Sequence, residues 1–417
     1  MRVTEPDFDR RTRTHSKRAV IEEAMDRRTF LRVGTAASAA GAGLLAGCSG
    51  LFSVQTGYRE QMPPLPENRP AAVYYPSHIE GMEMVGVETI GGNGANATSA
   101  TNGTDSGGTN GSNGSEEGSG TAEGYRCALT YSYPHRFWTV TGTETEKISI
   151  EDNDSLHLMV SVWDPATGVF PLDTNPTITI SQNGDSVTTL SPWTMLSQNM
   201  GFHTGDNLSL PGAGDYTVAV DIPPTSVRRT GSFEGRFDSQ RSVEFSFTFD
   251  PGTVNDIMLD RLGEKAGTRG AVEPMEMKKM PLALAPKTGE LPGRALGTVR
   301  TGDAVFDVRA LDDASRFGGA EKTYLAVSAR TPHNRYVLPA MSLSATVTRG
   351  NETVFDGALQ ATLDPKLNYH YGASVESIES GDKIEITTDA PPQVARHEGY
   401  ETAFLEMPSR TLTVGDS

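Results

Sequence analysis

The chain has 417 residues, enough for two or three domains that each bury a core, and it carries 53 Asp+Glu against 36 Lys+Arg for a net charge of −17. That balance argues against a nucleic-acid partner, whose phosphates need a basic surface. It suits a high-salt environment or a cation-rich partner equally well.

In chain order, the first signal is Asp26-Arg27-Arg28-Thr29-Phe30-Leu31, a twin-arginine pattern. The small, apolar run Val33 to Ala46 follows, too short for a transmembrane helix and laid out as a signal peptide. It closes on Leu45-Ala46-Gly47-Cys48, a lipobox in which Cys48 becomes the lipidated first residue of the mature chain. Residues 25–48 are therefore expected to be a twin-arginine lipoprotein signal, and residues 1–24 an over-called start or an extension. Cys48 and Cys127 are the only cysteines, so a lipidated Cys48 leaves no disulfide framework. Cys127 then reads as a small hydrophobe in a buried strand.

Residues 49–70 read as a polar, proline-containing tether through Pro63-Pro64-Leu65-Pro66. The stretch 71–90 opens the first β-domain, with a short strand at Ala72 to Tyr75 leading into His78 to Met84. Residues 91–123 are almost wholly Gly, Asn, Ser and Thr and cannot bury enough apolar surface to fold. Asn96, Asn102, Asn110 and Asn113 each begin an Asn-x-Ser/Thr sequon there, making them candidate glycosylation sites.

From 124 to 250, short alternating runs separated by turn residues are the pattern of an antiparallel sandwich. Leu156, Leu158, Val160 and Val162 share one strand face; His157, Met159, Ser161 and Trp163 share the other. Residues 251–294 read as a connector, with a short helix over Val254 to Arg261 capped by Asn255. It continues into Met275, Met277 and Met280, in a charged setting where core burial is not expected. Residues 295–417 resume the β-pattern and repeat the first domain. Met195 to Pro224 and Asn368 to Pro392 share a histidine, a glycine two residues after it, and a Pro-Pro about twenty residues on. Tyr324 to Ser328 matches His157 to Ser161, and both matches lie 46 residues before the repeated histidines His203 and His370. The fold class is therefore all-β: two related Ig-like sandwiches, each with a histidine at a turn before a buried strand.

The chemistry rests on histidine and methionine. His157 and Met159 share a strand face, and His203 follows Met195 and Met200. Imidazoles with thioethers form a soft-to-borderline set suited to copper, and with carboxylates can hold Fe(II) or Zn(II). These ligands come from separated strands and lack the local spacing of a zinc finger. Met82/Met84 and Met275/Met277 read as gap-filling residues at strand edges, while Met275, Met277 and Met280 in the charged connection also read as exposed thioethers for Cu(I) capture. No nucleophile elbow, phosphate loop, zinc-protease histidine pair or calcium loop is present, so an enzyme is not expected.

His157-Leu158-Met159-Val160, Met195 through Gly205-Asp206-Asn207, and Leu210 to Tyr216 resemble the periplasmic iron-transport accessory family, in the form of haloarchaeal lipoproteins. The resemblance covers about 100 residues in each half. It implies Ig-like secreted or lipid-anchored proteins, dimeric, that bind copper through histidines and a methionine, with iron nearby, beside an iron permease. Carried over by residue, His157 and His203 match two histidine ligands, and Met195 approximates the methionine. Met159 stands where the family has glutamate, and Arg229 where it has its third histidine. In the second half His370 matches the turn histidine and His397 the third, while Tyr324 replaces the first.

The expected function is thus a lipid-anchored extracytoplasmic protein, on the outer face of the cytoplasmic membrane, that captures iron and/or copper for a membrane permease. The expected metal residues are His157, Met159, Met195, Met200 and His203, with His370 and His397 as a second or shared site. A homodimer is compatible with this reading. The alternative is a cell-surface β-sandwich interaction module whose histidines are structural.

Overall fold

Twenty-three strands and one short helix follow from the alternating pattern, in a computed structural model that describes residues 62–91 and 124–415. Cys48, the twin-arginine segment and the four sequons lie outside the described residues. Strands β1 (His78–Glu80), β2 (Glu83–Gly91), β3 (Gly124–Ser132), β4 (Phe137–Thr141), β5 (Glu144–Ile148) and β6 (Leu156–Trp163) open the first half. They are followed by β7 (Thr177–Gln182), β8 (Asp185–Leu190), β9 (Trp193–Ser197), β10 (Gly201–Leu208), β11 (Gly214–Ile222), β12 (Arg228–Arg229) and β13 (Arg241–Phe249). Helix α1 (Pro251–Asp256) and β14 (Leu259–Arg261) lead to the second half. That half contains β15 (Arg294–Thr301), β16 (Ala304–Leu311), β17 (Thr323–Arg330), β18 (Ser342–Arg349), β19 (Glu352–Asp364), β20 (Asn368–Val375), β21 (Lys383–Ala390), β22 (Ala395–Arg396) and β23 (Arg410–Thr413).

The two halves are sandwiches with one topology. In the first, the sheet β2-β3-β6-β10-β9 faces the sheet β13-β11-β7-β8; in the second, β15-β16-β17-β20-β19 is followed by β18-β21-β23. The single 13-residue β19 does in the second half what β8 and β9 do in the first. Pro192 lies between β8 and β9, and proline cannot donate to a ladder, so the strand divides there. The equivalent position in β19 is Leu359, and the strand runs on. The 46-residue spacing is a true register. His157 pairs with Asn207 on β10, and Tyr324 pairs with Ser374 on β20, each partner four residues beyond the repeated histidine.

Alternation explains the core. Leu156, Leu158, Val160 and Val162 meet Ile178, Ile180, Val218 and Val220 of the facing sheet in a cluster that continues through both halves. Cys127 on β3 lies within it, fully buried, and burial pushes its thiol far up. The opposite face of β6 is buried as well, which places His157 and Met159 in the interior.

The halves exchange a segment. After its Pro-Pro, each chain segment leaves its own sandwich and adds a two-residue strand, in parallel, to the other's sheet. β22 pairs with β9 at Ala395↔Met195 and Arg396↔Leu196; β12 pairs with β19 at Arg228↔Thr362 and Arg229↔Leu363. The bond that follows each pairing is the same: His397 N–H to Leu196 O at 3.1 Å, and Thr230 N–H to Leu363 O at 3.0 Å. The repeats are thus related as two members of a symmetric pair, within one chain.

Several local expectations change. The helix starts at Pro251, not Val254, because Asp250 caps it by accepting from Gly252 N–H, with proline at the first helical position. Tyr74 forms an isolated bridge to Arg269 rather than part of a strand. Within the residues read as a tether, Arg69 Nε lies 3.0 Å from Glu401 and Met62 packs on the core. Met280 is buried, and Met277 packs against the core instead of standing free. Neither His203 nor His370 sits on a turn: both are inside strands, β10 and β20.

Candidate metal centre

Two strands, one loop and the residue after a third, two-residue strand bring four histidines close together in the interior. His157 comes from β6, His203 from β10, His135 from the loop after β3, and His397 from the residue after β22. Ring nitrogens of His135, His157 and His397 lie within 4.8 Å of one another, and the His203 ring centroid is 5.1 Å from that of His397. All four residues are under 8% exposed. In-register pairing explains the convergence on β6, β10 and β9: paired residues share a face, so His157 with Asn207, Met159 with Gly205, and Met195 with His203 project together.

The glycines of the Gly-x-His-x-Gly motif make room for this approach. A Cβ on Gly205 would sit 2.6 Å from His157 Nε2, and one on Gly201 would sit 2.5 Å from the Tyr336 ring, at a φ of +72°. The motif therefore reports close packing inside a strand, not a turn.

Each imidazole is held by its Nδ1. Asn207 donates through Nδ2 to His135 O at 2.9 Å, which turns its Oδ1 to accept from His157 Nδ1–H at 2.8 Å. His203 Nδ1 faces Gly201 O at 3.1 Å and His135 Nδ1 faces Tyr133 O at 3.2 Å, so both carry hydrogen on Nδ1. His397 Nδ1 lies 3.3 Å from Glu80 Oε1, while Glu80 Oε2 is 3.2 Å from His135 Nδ1. The remaining nitrogen, Nε2, is buried on all four rings and has no hydrogen-bond partner. Each such unpaired acceptor costs roughly 1–3 kcal/mol in a folded interior. Imidazoles oriented through Nδ1–H, with the Nε2 lone pair left free, are how proteins present histidine to a metal ion.

Burial also keeps the rings neutral. It lowers His135 and His157 well below the usual histidine range, His203 to about 3 and His397 to about 4. Desolvation pushes the Glu80 carboxyl the other way, to about 7. His78, on β1 beside Glu80, is lowered by burial too.

The second half is an internal control. Register places Tyr324 where the first half has His157, Ala326 where it has Met159, and Thr362 where it has Met195. Thr230 takes the place of His397. There the lone His370 is satisfied on both nitrogens: Nδ1 bonds Asn368 O at 3.0 Å and Nε2 meets Tyr324 Oη at 3.1 Å. Phe317 stacks on Tyr324 at 3.7 Å within an apolar cluster that includes Leu311 and Ala314. One half has filled the position with a self-sufficient core; the other leaves four nitrogens unpaired.

Of the sequence-predicted residues, His157, His203 and His397 are brought together. Met159 and Met200 line the adjoining cavity, and Met195 packs beside the cluster with Phe137 and Ala395. His370 is not brought to this point. His135 and Glu80 were not anticipated. His135 ends the buried run Tyr131 to His135, after Pro134, and no periodicity marks it. Glu80 arrives on β1, which pairs only with β14.

Among known proteins, a family model described as a domain of unknown function (DUF7350) matches residues 289–413. No curated protein matches the chain. FetP from uropathogenic Escherichia coli, as isolated, is similar at 19% identity over 30% of this chain and 87% of that chain, with a TM-score of 0.24. A copper-bound variant of FetP is similar at 18% identity over 30% and 85%, with a TM-score of 0.25.

Proposed function

We propose that this is a lipid-anchored extracytoplasmic metal-binding protein that captures copper and/or iron for a membrane permease. The observation that carries the reading is the set of four buried Nε2 atoms, on His135, His157, His203 and His397, with no partner in the protein. Four neutral imidazoles with thioethers nearby match copper in either oxidation state, and the Glu80 carboxylate widens the set toward Fe(II). The donors stay unprotonated across the physiological range, so the ion competes with no proton for its ligands. Two parts of the chain far apart in sequence supply the ring, with His397 brought in by the short β22 pairing.

The test is metal content after dialysis of mature protein against Cu(II), Cu(I) under reducing conditions, and Fe(II). One ion per chain is expected for the wild type, and loss of that ion in a His157→Ala/His203→Ala variant. Equal metal in the two proteins would overturn the site; no metal in either would favour a structural role for the histidines.

A further inference from the structure

With 53 Asp+Glu for 36 Lys+Arg, the chain has more carboxylates than its cations need. Two arginines beside the short turn Ser315–Phe317 nevertheless keep donors unused. Arg228, half-buried on β12, has no hydrogen-bonded or ion-paired partner among the described residues. Its Nη2 lies against Gly318, 3.3 Å from where a Cβ there would sit. Arg316 donates through Nε to Asp364 Oδ2 at 3.0 Å, but its Nη2 is buried and unpartnered. Its guanidinium lies over Phe317, with Cζ 4.5 Å from the ring centroid. Both guanidiniums are close enough to act electrostatically on the buried Tyr324 and His370, so they flank one place in the fold.

No nearby carboxylate is left to take these donors. Asp364 Oδ2 also accepts from Thr230 Oγ1 at 2.9 Å, and its Oδ1 accepts the N–H groups of Lys366 and Leu367 at 2.9 and 3.0 Å. Asp313 accepts from Ser315 N–H at 2.9 Å, and Glu376 pairs with Lys322 Nζ at 2.7 Å. Asp312 and Glu321, on the same loop, are exposed and pair with neither arginine. Nor does the fold demand a cation here. The position of Arg228 in the other exchanged strand belongs to Ala395, which packs in an apolar cluster with Phe137 and Met195. A guanidinium fork matches the paired oxygens of a carboxylate or a phosphate, and such charge-assisted bonds are the strong ones.

We propose that Arg228 and Arg316 form a binding site for a small oxyanion, a carboxylate or a phosphate, at the sandwich that carries His370. The inference does not rest on the metal-binding reading, and none of its residues belongs to the histidine centre.

The experiment titrates nitrogen-15-labelled full-length protein with malonate and, separately, with inorganic phosphate. Sodium chloride holds the ionic strength constant, and binding is read from the arginine Nε–Hε signals. Those of Arg228 and Arg316 are expected to shift saturably, while that of Arg229, whose Nη1 already donates to Thr225 O at 2.7 Å, stays in place. Arg228→Gln is expected to weaken binding about tenfold or more, the effect of losing one charged fork. Its unfolding midpoint without ligand should match the wild type, because the side chain bonds nothing in the protein. The His157→Ala/His203→Ala variant should bind the anion as wild type does. Saturation by malonate alone would assign a carboxylate ligand and by phosphate alone a phosphate, and either supports the site. Shifts reproduced by chloride, no saturable shift with either anion, or undiminished binding by Arg228→Gln would overturn the proposal.

Discussion

His397→Ala is expected to lower metal affinity roughly 100-fold or more, although the residue belongs to the half whose own sandwich, among the described residues, holds no histidine cluster. Losing an outer partner of a ligand already costs about 10–100-fold, and here a ring of the inner set is removed. The fold should survive, because the backbone N–H that anchors this segment to Leu196 O is untouched. The comparison is His370→Ala, at the other repeated histidine. Its nitrogens bond only Asn368 O and Tyr324 Oη, so the variant should bind metal as wild type does while losing stability. Affinities come from competition with a chromophoric chelator, and stabilities from urea unfolding of the metal-free proteins. If His370→Ala lost the metal and His397→Ala kept it, the exchange of segments would have no part in binding.

Metal-free protein is expected to lose stability steeply as pH falls below about 6. His203, His370 and His397 are lowered to about 3, 4 and 4 by burial, and burial lowers His135 and His157 well below the usual histidine range. For these groups the unfolded chain takes up protons near pH 6.5, while the folded chain does not until far lower. Their penalty is absent above the unfolded value, builds as pH falls through the window, and levels off once the folded rings titrate. Glu80, raised to about 7, has the opposite sign: the folded chain holds its proton between its usual range and 7. With His78, which burial also lowers, six histidines against the Glu80 carboxyl leave a net uptake of several protons on unfolding as pH falls through the unfolded histidine range. Denaturant midpoints measured from pH 4.5 to 7.5 check this. A flat profile would mean that the rings are already charged or exposed in the folded state.

Much of this arrangement is legible in the sequence, and what is not has a physical reason. Alternation along 156–163 identifies both faces of β6, because one strand's side chains need no knowledge of its neighbours. The equal spacing of His157 to His203 and Tyr324 to His370 carries the register, since repeats keep their pairings. The glycines flanking His203 suggest a turn, yet they answer to a tertiary contact with His157 and Tyr336. Sequence cannot reveal that β22 joins the first half's sheet, because two-residue strands have no periodicity of their own. His135 and Glu80 are hidden for the same reason: their roles arise from contacts with residues tens to hundreds of positions away. The substitution of Tyr324 for a histidine reads as a missing ligand. The structure explains what replaces it, a hydroxyl that completes His370 within an apolar cluster.

Buried Arg396 shows how firmly the exchanged segment is placed. Its guanidinium donates to the carbonyls of Pro392, Tyr400 and Ala403 and lies 5.4 Å from the Phe404 ring centroid, so His397 is fixed by the loop on both sides of it. Burial lowers Arg396 to about 9, still charged at neutral pH.

Both halves of one chain are proposed to build a single metal centre. X-ray absorption at the metal edge of copper-loaded protein, with metal per chain counted on the same sample, tests it most directly. One copper at the histidines is expected, in a shell dominated by imidazole nitrogen that is lost in His157→Ala/His203→Ala and in His397→Ala. Two equivalent ions, one for each sandwich, or a shell without imidazole, would contradict it.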